Sequence, residues 1–183
     1  ATTTLLHAAA ANDHLEMVTQ LLERGASVDL EDGLGYTALM SAAYRGHLSI
    51  LLFLLHHSAS PELQASDGHT ALMMAASEGH EACVQALLRA KANPDLQSNS
   101  GQTALMGAAM QGQESCVKAL LRAKANTELL DKDGDTALQW AEHEGHTAAA
   151  ALIRQHATPP QPAAASPAAP LDAGEPAVSS AAS

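Results

Sequence analysis

Apolar and polar positions follow one another along this chain in the rhythm of helices. In one stretch Leu72, Ala75 and Ala76 come at i, i+3 and i+4 after Thr70, which is one face of a short helix, and Gly79 ends it. Cys83, Val84, Leu87 and Leu88 then mark a single face of a second helix. The loop from Lys91 to Gly101 is rich in Asn, Asp, Ser and Pro, which favour turns. The whole pattern recurs every 33 residues: Thr4, Thr37, Thr70, Thr103 and Thr136 keep the interval, as do Leu6, Leu39, Leu72, Leu105 and Leu138, and Ala9, Ala42, Ala75, Ala108 and Ala141. Gly35, Gly68, Gly101 and Gly134 keep it in the loop, and Gly46, Gly79, Gly112 and Gly145 in the turn. Leu pairs recur at Leu21/Leu22, Leu54/Leu55, Leu87/Leu88 and Leu120/Leu121. Each Thr is predicted to cap a helix by accepting a backbone N–H bond. A unit this small cannot bury its own apolar face, so the units must stack, and the small Ala positions let them approach closely.

Gly68-His-Thr-Ala-Leu-Met-Met-Ala-Ala-Ser-Glu-Gly-His80, followed by Val84 and the Leu87/Leu88 pair, resembles the ankyrin repeat, whose period is 33 residues. The resemblance covers about residues 1–157. It implies an all-α solenoid of stacked helix–turn–helix units joined by β-hairpin-type loops. The expected units are 2–34, 35–67, 68–100, 101–133 and 134–157. The chain departs from the family in three places. Ala or Leu replaces the Pro after each Thr. The Gly after the second helix survives only as Gly25, with Ser58, Lys91 and Lys124 in its place. If these three adopt left-handed backbone, each costs on the order of 1 kcal/mol relative to Gly. The loop Asn that is hydroxylated in some members is Asp29, Glu62, Asp95 and Glu128, so that modification is not carried over.

The ends differ from the middle. Residues 2–34 hold six acids and one Arg, a net charge of −5, which suits a solvent-exposed cap; the alternative is that more repeats come before it. In the last unit Arg154 replaces the second Leu of the pair, so that face is expected to meet water. Residues 158–183 hold six of the eight Pro and no Lys, Arg or aromatic residue, and are read as a disordered tail or linker. Pro159-x-x-Pro162 and Pro167-x-x-Pro170 have polyproline-ligand spacing without a flanking basic residue.

Composition narrows the chemistry. Apolar residues make up 46%, but 40 of the 183 residues are Ala and only four are aromatic: Tyr36, Tyr44, Phe53 and Trp140. A sheet protein wants β-branched and aromatic residues instead. The net charge of −11 argues against nucleic acid, and no apolar run is long enough to span a membrane. Of the ten His, His14, His47, His80 and His146 are repeat-spaced and belong to the turns. Stacked units lie roughly 8–10 Å apart, too far for successive His to share an ion at about 2.0–2.1 Å. No metal or other cofactor is expected. Cys83 and Cys116, also 33 apart, read as small buried hydrophobes and free thiols, which points to a reducing, intracellular and cytoplasmic setting. Asp67, Asp131 and Asp133 read as hairpin-tip residues. No phosphate loop, nucleophile elbow or carboxylate pair appears, and the chain is not expected to be an enzyme.

The ankyrin resemblance places partners on the concave side, built by first helices and loop tips. Specificity must come from positions that vary between copies. These are Ala8/Ser41/Met74/Gly107/Trp140, Ala11/Tyr44/Ser77/Met110/His143, Asn12/Arg45/Glu78/Gln111/Glu144 and, at the loop tip, Thr3/Tyr36/His69/Gln102/Asp135. Three of the four aromatics fall there. The candidate partner-binding residues are Tyr36, Tyr44, Arg45, His69, Met74, Glu78, Met110, Gln111, Trp140 and His143. The expected function is non-catalytic protein–protein recognition by a monomeric scaffold or adaptor, with a partner drawn in by a net charge of −9 on residues 1–156 if it is basic. The competing reading is a regulatory or substrate-recruiting domain of a larger enzyme or channel.

Overall fold

A computed structural model describes residues 4–157. Thr3 of the loop-tip series and the Pro-rich segment 158–183, with both of its Pro-x-x-Pro pairs, lie outside the described residues. Among the described residues ten helices run in chain order: α1 (Leu5–Ala11), α2 (Leu15–Glu23), α3 (Ala38–Arg45), α4 (Leu48–His56), α5 (Ala71–Ser77), α6 (Glu81–Arg89), α7 (Ala104–Met110), α8 (Glu114–Arg122), α9 (Ala137–His143) and α10 (Thr147–His156). No strand occurs among the described residues.

Each first helix opens on its Thr. The hydroxyls of Thr4, Thr37, Thr70, Thr103 and Thr136 accept N–H bonds from His7, Met40, Met73, Met106 and Gln139 at 3.2–3.4 Å. In α3 and α7 the cap is reciprocal: Met40 Sδ and Met106 Sδ accept the N–H of Thr37 and Thr103, the place a Glu or Gln takes in the usual box. The second helices have no side-chain cap of their own. Before α4, α6 and α8 the residue that could supply one reaches back to the preceding unit instead. His47 Nε2 donates to the Ala11 carbonyl at 3.2 Å, His80 Nε2 to Tyr44 at 3.0 Å and Gln113 Nε2 to Ser77 at 3.3 Å. The turn His is thus a bolt between units. Glycine makes room for it: a Cβ on Gly46, at φ +74°, would lie 2.5 Å from His80 Nδ1.

Ser58, Lys91 and Lys124 adopt φ of 65°, 66° and 63°, the left-handed geometry expected of them. Asp13, at φ 59°, does the same in the first turn, where the later units carry Gly.

The core is a column of small residues between first helices and larger ones behind them. Ala9, Ala10, Ala42, Ala43, Ala75, Ala76, Ala108 and Ala109 are buried, as are Leu39, Leu72, Leu105, Leu54, Leu87 and Leu120. Successive first helices pack more closely than successive second helices, because Ala holds them together. Unequal spacing curves the stack, with α1, α3, α5, α7 and α9 on the inner side.

The loops are tied by two ladders. Asp29 accepts the N–H of Ser60, Glu62 that of Asn93 and Asp95 that of Asn126, each from one unit to the next. At the tips, Ser66, Asn99 and Lys132 donate their backbone N–H to Leu34, Asp67 and Ser100, each at 2.9 Å. Three of the four acids that stand in for the family's loop Asn, Asp29, Glu62 and Asp95, therefore serve as inter-unit acceptors.

Candidate partner-binding surface

On the inner side a cleft of about 460 Å³ lies between the second and third units. Tyr36 stands just before the α3 cap, Met40 and Ser41 on α3, and Tyr44 in its last turn. Asp67 and His69 come from the loop tip, Met73, Met74 and Ser77 from α5, and Glu78 from its end. A smaller hollow of about 130 Å³ adjoins it through His69, Met73 and Ser77, and adds Gln102, Thr103, Gly107 and Met110. Gly107 sits at the variable position that holds Met74 one unit earlier, so its missing side chain opens the floor there.

Tyr36 is held at both ends before any partner arrives. Its N–H donates to Asp32 Oδ1 at 3.0 Å, its carbonyl accepts from the Asp32 N–H at 2.9 Å, and His7 Nε2 donates to the same carbonyl. Its hydroxyl donates to Asp67 Oδ2 at 2.7 Å. That bond, then burial, then the charges of Asp67 and Asp32 push the phenol up to about 12. Partial burial works to raise Asp67. The N–H of His69, the Tyr36 hydroxyl and the His69 ring outweigh it, and hold the carboxyl below its ordinary range. At neutral pH the cleft wall therefore carries a neutral phenol and an ionised carboxylate. His69 Nδ1 lies 3.2 Å from Asp67 Oδ2 without hydrogen-bond alignment, a contact that becomes an ion pair when the ring is protonated.

Tyr44 differs. Its carbonyl is bolted by His80, but its side chain is 47% exposed. The Arg45 guanidinium sits 5.6 Å from the centre of its ring, within cation–π range. Arg45 flanks the cleft without lining it.

The structure thus brings Tyr36, Tyr44, His69, Met74 and Glu78 into one cleft and places Met110 in the adjoining hollow. Gln111, Trp140 and His143 line neither. Trp140 is half-buried against the core in the fifth unit, and its Nε1 donates to Asp131 Oδ2 at 2.8 Å. Burial opposes ionisation of Asp131, but the N–H groups of Asp135, Asp133 and Gly134 and the Trp140 indole together lower it. The Trp140 polar handle is already used, and the His143 ring stands nearly perpendicular to it, with centroids 6.4 Å apart. Met40, Met73 and Asp67 escaped the sequence reading: the two Met sit at a helix position that reads as core, and Asp67 reads as a turn residue. The available signal was Met recurring at 40, 73 and 106 in the middle units only, against His7 and Gln139 at the ends.

Little else on the described surface suggests chemistry. No group of three or more His, Cys, Asp or Glu that could hold a metal occurs among the described residues, nor does a helix long and apolar enough to cross a membrane. Cys83 and Cys116 are buried free thiols. Burial raises both, and Cys116, with Glu81 and Cys83 adding to burial, reaches about 11.

A stack of repeated helix pairs, alike in framework and varying at positions on the first helices and loop tips, defines a helical repeat solenoid. A sequence model of the family described as Ankyrin repeats (3 copies) matches residues 2–65, 57–129 and 72–162, and the chain belongs to that family. No curated protein matches the chain. Ankyrin repeats are in general protein–protein interaction modules and typically non-catalytic.

Proposed function

We propose that the chain is a non-catalytic recognition module that takes a basic peptide segment of a partner protein along its inner face. Tyr36, Tyr44, His69, Met74 and Glu78 form the main contact, with Met110 extending it and Arg45 at the edge. Gln111, Trp140 and His143 stand further along the same side and contact a longer partner. The observation that carries this reading is the composition of the cleft wall. Met74 and two tyrosine rings offer apolar surface above a floor of the buried Met40 and Met73, Asp67 and Glu78 offer negative charge, and no Lys or Arg lines the cleft. Met adapts to irregular partners, and rigid Tyr rings lose little entropy on binding. Because Tyr36 is already fixed from both ends, ordering it on binding has little further cost.

Selection of a random peptide library on the immobilised chain tests the proposal. The expected winners carry Lys or Arg beside aliphatic or aromatic residues, and Tyr44→Ala binds them about tenfold or more weakly with an unchanged melting temperature. Acidic winners, or full binding by the variant, would refute the assignment.

A further inference from the structure

The two ends of the stack are finished differently. At the carboxyl end the outward face has become polar. Glu142 stands where Ala10, Ala43, Ala76 and Ala109 are buried in the other units, and Arg154 stands where Leu22, Leu55, Leu88 and Leu121 pack. The two side chains form an exposed ion pair with each other.

At the amino end the outward face has stayed apolar. Ile50, Cys83, Cys116 and Ala149 are each 1% exposed or less, because the preceding unit lies over them; Met17, at the same place in the first unit, is 47% exposed. Ala38, Ala71, Ala104 and Ala137 are at most 2% exposed, whereas Leu5 is 70% exposed. Leu21 is only half-buried where Leu54, Leu87, Leu120 and Ile153 are fully so, and Leu15 is exposed beside it. The first unit's acids suit water, as its charge suggested, but its leading wall is the wall every later unit presses against its predecessor.

We propose that this leading face is a stacking interface for one more unit of the same repeat, joined in the same polypeptide and packed ahead of α1 and α2. Four junctions within the molecule show what covers these positions: the trailing face of an ankyrin unit. A second copy stacked head to tail does not fit, because it would bury Glu142 and Arg154 against Leu5 and Met17 and strip both charges of water. A second copy stacked head to head would press two units of net charge −5 together.

The test joins a copy of residues 35–67 ahead of residue 2, which keeps the 33-residue register. The longer and original chains are compared with and without Met17→Glu, and again with Leu5→Ala, so that crowding by the larger Leu cannot mask a fit. The longer chain is expected to unfold in one transition at a higher temperature, with amide exchange in α1 and α2 slowed about tenfold or more. Met17→Glu should lower the melting temperature of the longer chain and leave the original nearly unchanged. Independent melting of the added unit in both Leu5 backgrounds would overturn the proposal. So would a dimer of the original chain that Met17→Glu dissociates, which would assign the face to self-association.

Discussion

Single residues in this molecule are placed by backbone needs as much as by packing. Left-handed backbone recurs after every first helix and after most second helices, and neither place is filled by Gly throughout. Lys91→Gly and Lys124→Gly should each raise stability by about 1 kcal/mol, read as a higher urea midpoint. The converse change separates strain from space. Gly25→Ala, with nothing within 4 Å of the new Cβ, should cost only the strain of its φ, about 1 kcal/mol. Gly46→Ala should cost more, because the same methyl also displaces His80. The Ser58, Lys91 and Lys124 strain was legible in the sequence, since they stand one, two and three 33-residue periods after Gly25. The Gly–His bolt was not: its two members lie 34 residues apart and nothing local joins them.

Titration gives a second residue-scale test. With Tyr44→Phe, Tyr36 is the sole tyrosine, and its ultraviolet titration should have a midpoint of about 12. Asp67→Asn should bring that midpoint down toward about 10. Tyr36 is raised in the folded state, so its contribution to stability is full below its unfolded value and is lost as pH rises through about 12. Asp67 and Asp131 are depressed, so theirs is full above the unfolded value of about 3.9 and is lost as pH falls through their folded values. Asp67→Asn should therefore flatten the alkaline limb of the stability profile and part of the acid limb.

At the scale of helices, the inner row is governed by alanine. Ala75 is fully buried on α5, between α3 and α7, so Ala75→Leu should lose about 1–3 kcal/mol by overpacking, measured by urea unfolding. Leu105→Ala on α7 should lose about 2–5 kcal/mol by leaving a cavity. Helix pairs, caps and turns were readable from the sequence because their signals are local: Thr before an apolar run, Leu and Ala at helical spacing, Gly at the break. The Met caps of α3 and α7 were not, because a thioether in an apolar helix looks like core and nothing more. The Cys83 and Cys116 positions were readable as buried because earlier units carry Met17 and Ile50 there.

For the whole molecule, stacking brings variable positions of the second and third units together in one cleft. The sequence pointed to Tyr36, Tyr44, His69, Met74 and Glu78 because variation between copies marks the side not committed to packing. It also drew in Trp140 on the strength of its aromatic ring, and the structure seats that ring in the fifth unit with its N–H bound to Asp131. It left out Met40 and Met73, whose buried bodies form the cleft floor. Excess negative charge on the chain adds a kinetic expectation: association with a Lys- or Arg-bearing peptide should slow as salt rises, and a flat salt dependence would remove the steering part of the account. The central claim is that the cleft between the second and third units is the recognition site. It is tested most directly by the affinity of one selected basic peptide for the chain and for the Tyr44→Ala/Met74→Ala variant, with melting measured alongside. The account predicts a Kd about tenfold or more weaker for the variant at an unchanged melting temperature. Equal affinity in the two proteins, or a loss of binding that only tracks a loss of folding, would contradict it.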